Sequence, residues 1–289
     1  ANIIDTVTTG DTAGGGGGGN PPATQTVADL KTASNTNGVT ALSNTGTTTI
    51  KDSKDNEIKV PKGFGIATDS GVNVEEGIVI EDADSTRSTV GSQFVWVPVG
   101  EVNVSTTIDA TGKINIPLAR GTFNTSTGAF TAVQTQTGTT YTASTSSSVI
   151  NSYYYEFAND TESQAVKSET YGNTKAKNLS GFVESVLSNG GYYIARYEAG
   201  ISGTTSSTTA STLADESTSK NSSSAAQIVT KSGVGVWNCI TQPNAATVCQ
   251  SMYNTSSDKV TSDLINSYAW DTAILFIQTC SSNSSYSMT

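Results

Sequence analysis

The sequence predicts an α+β fold, in which a mixed antiparallel sheet packs against two or three helices and long Ser/Thr-rich loops interrupt the domain. Short runs of β-branched and aromatic residues, such as IVI at 78–80 and FVWV at 94–97, predict the sheet. Strands that are buried on both faces have this composition. Apolar residues recur at three- and four-residue spacing in the last third of the chain, and this period predicts helices.

The composition limits the classes of protein that this chain can belong to. Ser and Thr make up roughly 30 % of the 289 residues, while charged residues make up 14 % and hydrophobic residues 35 %. The net charge of -10 argues against a nucleic-acid-binding protein, because that class neutralises phosphates with Lys and Arg. A surface that is acidic, rich in Ser and Thr and poor in Lys favours an extracellular or cell-surface location.

The chain divides into a tail and one large domain. Residues 1–22 combine a β-prone stretch, ANIIDTVTT, with six glycines and a Pro-Pro pair. Glycine-rich segments behave as flexible linkers, so the tail can reach a neighbouring molecule. Residues 23–289 are predicted to form a single globular domain, with insertions at about 134–170 and 202–226. Ala1 as the first residue suggests that a leader has been removed, and a trimmed start is the alternative.

The predicted elements follow from local patterns taken in chain order. VADLKTA indicates a short helix, and SKDN between two apolar runs indicates a hairpin turn. A hairpin region from 101 to 133 is predicted to face solvent, because apolar and polar residues alternate there. The remaining elements are buried strands at EEGIVIED, SQFVWVPVG and GYYIARYEAG, and helices at 176–187, from Thr241 and from Ser262.

The chain offers little catalytic chemistry. It contains no histidine, which excludes Ser-His-Asp and Cys-His mechanisms and removes the commonest metal ligand. Its acidic residues lie mostly in turns, where carboxylates are ordinarily solvated. The sequence therefore predicts neither an enzyme nor a catalytic, cofactor or metal site. Cys239 and Cys249 are ten residues apart, so that a disulfide between them and two buried thiols are both compatible with the sequence.

Four sequence blocks are similar to a known family. FVWVPVG at 94–100, GGYYIARYEAG at 190–200, VWNCITQPNAATVCQSMY at 236–253 and LINSYAWDTAILFIQT at 264–279 resemble the formylglycine-generating-enzyme-like branch of the C-type-lectin-like folds, as found in proteins of Gram-positive bacteria or their phages. The resemblance implies that the first two blocks are core strands and that the last two are helices packed on the sheet. No catalytic position of the family matches Cys239, Cys249 or Cys280.

The resemblance also implies an incomplete sheet. The family's C-terminal portion, which carries the catalytic cysteines, has no counterpart in this sequence. An unfinished sheet exposes an edge whose unpaired backbone groups can bind a strand from elsewhere. A β-prone tail on a linker could supply that strand, whereas a frayed terminus is the other interpretation of the same residues.

Two functions of different classes follow. The first is a structural subunit of an extracellular filament or surface assembly, in which Ile3, Ile4 and Val7 dock into the sheet of another copy of the chain. The second is an adhesin or phage receptor-binding module, in which Tyr153, Tyr154 and Tyr155 stack on surface glycans. No apolar stretch is long enough to predict a transmembrane segment.

Overall fold

The part of the chain that the structure describes contains fourteen strands and four α-helices. This computed structural model describes residues 2–5, 25–124, 126–127, 129–142, 179–204, 227–238, 240, 242–253 and 260–280. The strands are β1 (Asn2–Asp5), β2 (Thr48–Lys51), β3 (Glu57–Val60), β4 (Phe64–Ile66), β5 (Val79–Asp82), β6 (Gln93–Pro98), β7 (Gly100–Asn103), β8 (Lys113–Ile116), β9 (Leu118–Phe123), β10 (Phe130–Gln136), β11 (Gly191–Ala195), β12 (Gly200–Ile201), β13 (Ile228–Val229) and β14 (Thr261–Leu264). The helices are α1 (Val27–Asn37), α2 (Leu179–Asn189), α3 (Gln242–Met252) and α4 (Ser267–Cys280), with a short 3-10 helix at Val74–Glu76.

A six-stranded antiparallel sheet lies at the centre of the fold, with its strands in the order β14-β1-β11-β6-β5-β4. Four two-stranded antiparallel sheets, β2-β3, β7-β8, β9-β10 and β12-β13, surround it. The predicted α+β class with antiparallel pairing is therefore confirmed. The predicted strands β5, β6 and β11 are also confirmed, and their apolar residues are largely buried on both faces, as the consecutive apolar runs indicated.

Helices α2 and α4 cover one face of the central sheet. Tyr192 points to this face, where its ring lies 5.4 Å from that of Phe182 in α2. Its hydroxyl donates a hydrogen bond of 2.5 Å to the carbonyl oxygen of Ala269 in α4. Tyr192 is fully buried, and burying an aromatic side chain of this size stabilises a fold by roughly 1.5–3 kcal/mol.

Helix α3 and the β2-β3 hairpin cover the opposite face. The ring of Tyr253, which directly follows α3, lies 5.4 Å from that of Phe64 and 6.0 Å from that of Phe94. Tyr193 points to the same face as Phe94, and its hydroxyl donates to the carbonyl oxygen of Lys59 in β3 at 3.0 Å. The sheet is thus enclosed on both sides, which leaves its edges as the places where a further strand can be added.

The β2-β3 hairpin confirms the predicted turn. Asp55 has a φ of 65°, and it is the one residue other than glycine with a positive φ in the described ranges. The carboxylate of Asp52 accepts hydrogen bonds from the backbone N–H groups of Lys54 and Asn56, each at 2.9 Å. These bonds satisfy the turn donors that the ladder leaves unpaired, which explains why Asp and Asn occur at this point in the sequence.

The prediction of solvent-facing hairpins between 101 and 133 is wrong for seven of the residues described there, which are buried. Val102, Ile116 and Leu118 are buried. Hairpins face solvent only where no other element packs on them. Here, α4 packs on β9, and the backbone N–H of Ala119 donates to Oγ1 of Thr272 at 3.0 Å. Val133 of β10 remains 43 % exposed.

The last helix begins later than the sequence indicated. Ser262 and Asp263 lie in the strand β14, and the helix α4 begins at Ser267. Asn266 caps it, since its side-chain oxygen accepts from the backbone N–H of Ala269 at 3.0 Å. Among the helices described, none combines the length and the apolar character that crossing a membrane requires.

Candidate strand-docking site

The strand β1 lies inside the central sheet rather than at its edge. Ile3 and Ile4 pair with Ile194 and Tyr193 of β11 on one side. On the other side, all four residues of β1 pair with β14, from Asn2 opposite Leu264 to Asp5 opposite Thr261. Both pairings are antiparallel. We call the space between β11 and β14 the slot; it is one strand wide, because the walls are two inter-strand spacings apart, or roughly 10 Å.

The residues that fill the slot come from far away in the sequence. Nineteen residues, 6–24, separate Asp5 from Gln25, and six of them are consecutive glycines. The strand's partners lie near residue 193 and near residue 262. In the described part of the chain, β1 is also the only strand that joins β14 to the rest of the sheet. Removal of β1 would leave β11 as the edge of a four-stranded sheet.

The first wall of the slot, β11, belongs firmly to the sheet. All five of its residues pair with β6, from Gly191 opposite Pro98 to Ala195 opposite Phe94. The rings of Tyr193 and Trp96 lie 5.0 Å apart across this pair. Burial raises the pKa of Tyr193 well above its ordinary value, so that this wall carries no phenolate.

The second wall, β14, is bound to helix α3 by its polar side chains. Oγ of Ser262 donates to the carbonyl oxygen of Cys249 at 2.6 Å and accepts from the backbone N–H of Tyr253 at 2.9 Å. Oδ1 of Asp263 accepts from the side-chain amide of Gln250 at 2.9 Å. The bond to Cys249 satisfies one of the last four carbonyl groups of α3, which a helix leaves unpaired.

Tyr253 fixes this end of α3 to the far part of the sheet. Its hydroxyl donates to Oδ2 of Asp82 at 2.8 Å. Asp82 is fully buried; its Oδ2 also accepts from the hydroxyl of Thr89 at 2.6 Å, and Arg87 lies 3.4 Å from its Oδ1. Burial and the charge of Asp82 raise the pKa of Tyr253 well above its ordinary value. The phenol therefore stays a donor at physiological pH.

Helix α4, which follows β14, is fixed to the opposite face. Beside the Tyr192–Ala269 bond, Oδ2 of Asp271 accepts from the backbone N–H of Gly121 at 2.9 Å. Burial raises the pKa of Asp271 to about 6, although this hydrogen bond and the charge of Arg120 both act to lower it. The chain thus passes from one face of the sheet to the other through β14, and it is held on both faces.

The two cysteines that the structure describes add no reactive group to this region. Cys249 lies buried in α3 and Cys280 lies buried at the end of α4. Burial raises the pKa of each thiol to about 12, so that almost no thiolate forms at neutral pH. Cys239 lies outside the described residues, and its disulfide with Cys249 therefore stays a prediction.

Two surface clefts lie away from the slot. One, of about 470 Å³, is lined by Glu75, Glu76, Phe276, Ile277 and Cys280 among others. The other, of about 420 Å³, lies between the β3-β7 region and the end of α2. Over the described residues, no group of three or more Asp, Glu, Cys or His side chains is arranged to hold a metal ion. In the first cleft, burial and the negative charge of Glu75 raise the pKa of the Cys280 thiol and so keep it protonated.

The structure thus brings together two of the three predicted docking residues. Ile3 and Ile4 lie in β1, while Val7 lies outside the described residues. Tyr153, Tyr154 and Tyr155 also lie outside them, so that the glycan-binding interpretation stays a prediction. Sequence reasoning missed Ser262 and Asp263 as wall residues because it placed them in a helix. Asn266, a strong helix-capping residue before an apolar period, was the signal that could have placed the helix start correctly.

What the fold and the site define is an α+β protein with a peptide strand inserted between two anchored walls. No family model, no curated protein and no solved structure matches this chain.

Proposed function

We propose that this protein is a structural subunit of an extracellular filament or surface assembly, in which the N-terminal strand of one copy fills the slot of the next. Main-chain hydrogen bonds to two walls supply the affinity in such strand addition, and side-chain positions along the strand supply the specificity. The partners of each copy are other copies of the same chain.

The position of β1 carries the proposal. A strand inserted between two others pairs on both sides. It therefore forms about twice as many main-chain hydrogen bonds as a strand added at the edge of the sheet. Nineteen residues span up to roughly 65 Å when extended, at 3.3–3.6 Å per residue. The same strand can therefore reach the slot of its own domain or that of an adjacent copy.

Strand addition between identical copies is a head-to-tail contact. The strand and the slot are different surfaces, so that each copy that donates a strand still has a slot to fill. A contact of this kind that does not close into a ring produces a filament. The net charge of -10 and the Ser/Thr-rich composition are consistent with a coat exposed to solvent outside the cell.

We further propose a C-type-lectin-like fold as the finer description of the domain. Its support is the order of the four blocks that resemble that family. The first two blocks contain β6 and β11, which are adjacent core strands, and the last two contain α3 and α4, which pack on opposite faces of the sheet.

A cysteine pair across the slot tests the proposed function. Ile3 and Ile194 are directly opposite each other, and antiparallel partners have Cα atoms 4.5–5.5 Å apart, within the range of a disulfide. We expect the variant Ile3→Cys/Ile194→Cys/Cys239→Ser, oxidised over a concentration series, to give a covalent ladder on non-reducing gels. Electron microscopy of the same sample should show filaments, and deletion of residues 1–20 should abolish both.

The matched control replaces the wall residue with an exposed one. Ile3→Cys/Val133→Cys/Cys239→Ser places the second thiol on β10, away from the slot, and should give no ladder. Cross-linked monomers without larger species, at every concentration, would show that the strand stays in its own domain and would refute the filament.

A further inference from the structure

We propose that the slot persists when it is empty and is a binding site for extended peptides supplied by another molecule. This inference rests on the strand-addition part of the proposed function and not on filament formation. It concerns the acceptor alone: a slot that keeps its shape can be filled, after folding is complete, by an extended peptide from another molecule. A slot that collapses can be filled only during folding.

The wall β11 is independent of β1. All five residues of β11 pair with β6, and the side chains of Tyr192 and Tyr193 are buried. These contacts hold β11 in the four-stranded sheet β11-β6-β5-β4. Loss of β1 removes hydrogen bonds from one edge of β11 and leaves all of these contacts in place.

The wall β14 is independent of β1 as well, and for a different reason. Its two central side chains, Ser262 and Asp263, form hydrogen bonds to α3. Helix α3 is in turn fixed by Tyr253, which is bonded to Asp82 and packed between Phe64 and Phe94. Phe64, Asp82 and Phe94 belong to β4, β5 and β6, so α3 is fixed to strands that do not pair with β1.

The chain that leaves β14 is held just as firmly. Asn266, two residues after Leu264, caps α4, and Ala269, Asp271 and Thr272 form hydrogen bonds to β11 and β9. Since β14 is fixed before and after the strand, to two faces of one sheet, the gap to β11 cannot close without breaking buried hydrogen bonds.

The walls define the peptide that fits. It is an extended segment of at least four residues, antiparallel to both walls, with no proline at its central positions because those N–H groups join the ladders. The position that Ile3 occupies is opposite the carboxylate-bearing Asp263, and like charges directly opposite are destabilising. The site therefore disfavours an acidic residue at that position.

Strand exchange in a nicked chain tests the inference on the full protein. A protease site placed within Gly14–Gly19 allows the linker to be cut while β1 remains bound. We expect a fluorescent peptide of residues 1–9 to replace the cut strand, with an anisotropy rise that unlabelled peptide reverses. Peptides carrying Ile4→Pro or Ile3→Asp should bind at least tenfold more weakly, and a scrambled peptide should not bind.

Hydrogen exchange on the nicked protein after removal of the strand separates the two possible states of the slot. If the slot persists, the amides of α3, α4 and β6 keep their protection, and only the amides of β11 and β14 that faced β1 exchange faster. Unfolding of the nicked protein, loss of protection through α3, or equal binding of all peptides would overturn the inference. Specific peptide exchange together with cross-linking only within single chains would refute the filament and leave the binding site standing.

Discussion

At the scale of single residues, the hydroxyl of Tyr253 matters most for the shape of the slot, because it connects α3 to a buried carboxylate. A hydrogen bond to a charged acceptor contributes about 1.5–3 kcal/mol, against about 0.5–1.5 kcal/mol for a neutral one. We expect Tyr253→Phe, which deletes the bond to Asp82, to lower the free energy of unfolding more than Tyr193→Phe, which deletes a bond to the carbonyl of Lys59. Urea denaturation of both variants measures the difference. Equal losses would show that the Asp82 contact is not the stronger one.

Asp271 gives the stability of the protein a pH dependence whose sign follows from its raised pKa. The folded protein retains a proton up to about pH 6, whereas the unfolded chain releases it near the ordinary value of 3.8. The contribution of this group to stability is thus fully present below pH 4 and is lost as the pH rises through 6. Over this range the change is about 3 kcal/mol at most, at 1.36 kcal/mol per pKa unit.

Asp271→Asn removes this dependence while it keeps an oxygen that can accept from Gly121. Relative to the unmodified protein, the variant should gain stability between pH 4 and pH 7.5, as measured by denaturant unfolding at each pH. The exposed Asp109, whose pKa is lowered by hydrogen bonds from Thr111, provides the control. Asp109→Asn should show no gain in this direction. A pH-independent difference for Asp271→Asn would contradict the expected pKa.

At the scale of elements, the sequence was sufficient to predict the strands β5, β6 and β11, but it was not sufficient to predict β14. The first three strands carry consecutive apolar residues, since each is covered on both faces by other elements. β14 reads TSDL, and its polar side chains are satisfied by α3 rather than by its own neighbours in sequence. Nothing local marks those four residues as a strand, because their partner in the sheet lies about 260 positions earlier.

Ile3 and Ile4 could be predicted to form a strand because a β-prone stretch on a glycine-rich linker is a clear sequence pattern. The two walls of the slot, β11 and β14, could not be predicted. The sequence indicated that a sheet edge would be open. It did not indicate that two strands would hold a gap between them, since this depends on the packing of α3 and α4 on opposite faces.

Replacement of Ile4 by proline tests the pairing of β1 as an element. Proline cannot donate to either ladder, and it is excluded from the interior of sheets. We expect Ile4→Pro to increase hydrogen exchange at Thr261–Leu264 and at Tyr193–Ala195 and to lower the melting temperature. Ala13→Pro introduces the same residue into the linker and should change neither. Unchanged exchange at β14 in Ile4→Pro would contradict the register described above.

At the scale of the whole molecule, the length of the linker decides between a closed monomer and a polymer. A glycine-rich segment of 19 residues has a root-mean-square span of roughly 22–26 Å, at 5–6 Å times the square root of its length. Gln25 lies beside Lys51 of β2, in the same hairpin whose Lys59 accepts a hydrogen bond from Tyr193, the partner of Ile4. Both ends of the linker are therefore close to one region, and the effective concentration of a chain's own strand is on the order of millimolar.

A shorter linker should make a chain less able to fill its own slot and should therefore favour binding of its strand by another copy. Deletion of residues 10–20 leaves eight residues between Asp5 and Gln25, which reach at most roughly 26–29 Å when fully extended, at 3.3–3.6 Å per residue. We expect this variant to form oligomers at lower protein concentration than the unmodified chain, as measured by light scattering. A variant in which the same eleven residues become Gly and Ser should behave like the unmodified chain. Monomers of the shortened variant with β1 still protected from exchange would contradict the expected shift.

The wide separation of β1 from its partners also has a consequence during synthesis. Asn2 leaves the ribosome 262 residues before Leu264, which at 5–20 residues per second is a delay of roughly 13–52 s. For that time β1 of a new chain has no second wall of its own to pair with. Under the proposed function, this delay would favour donation of the strand to an older, completed copy.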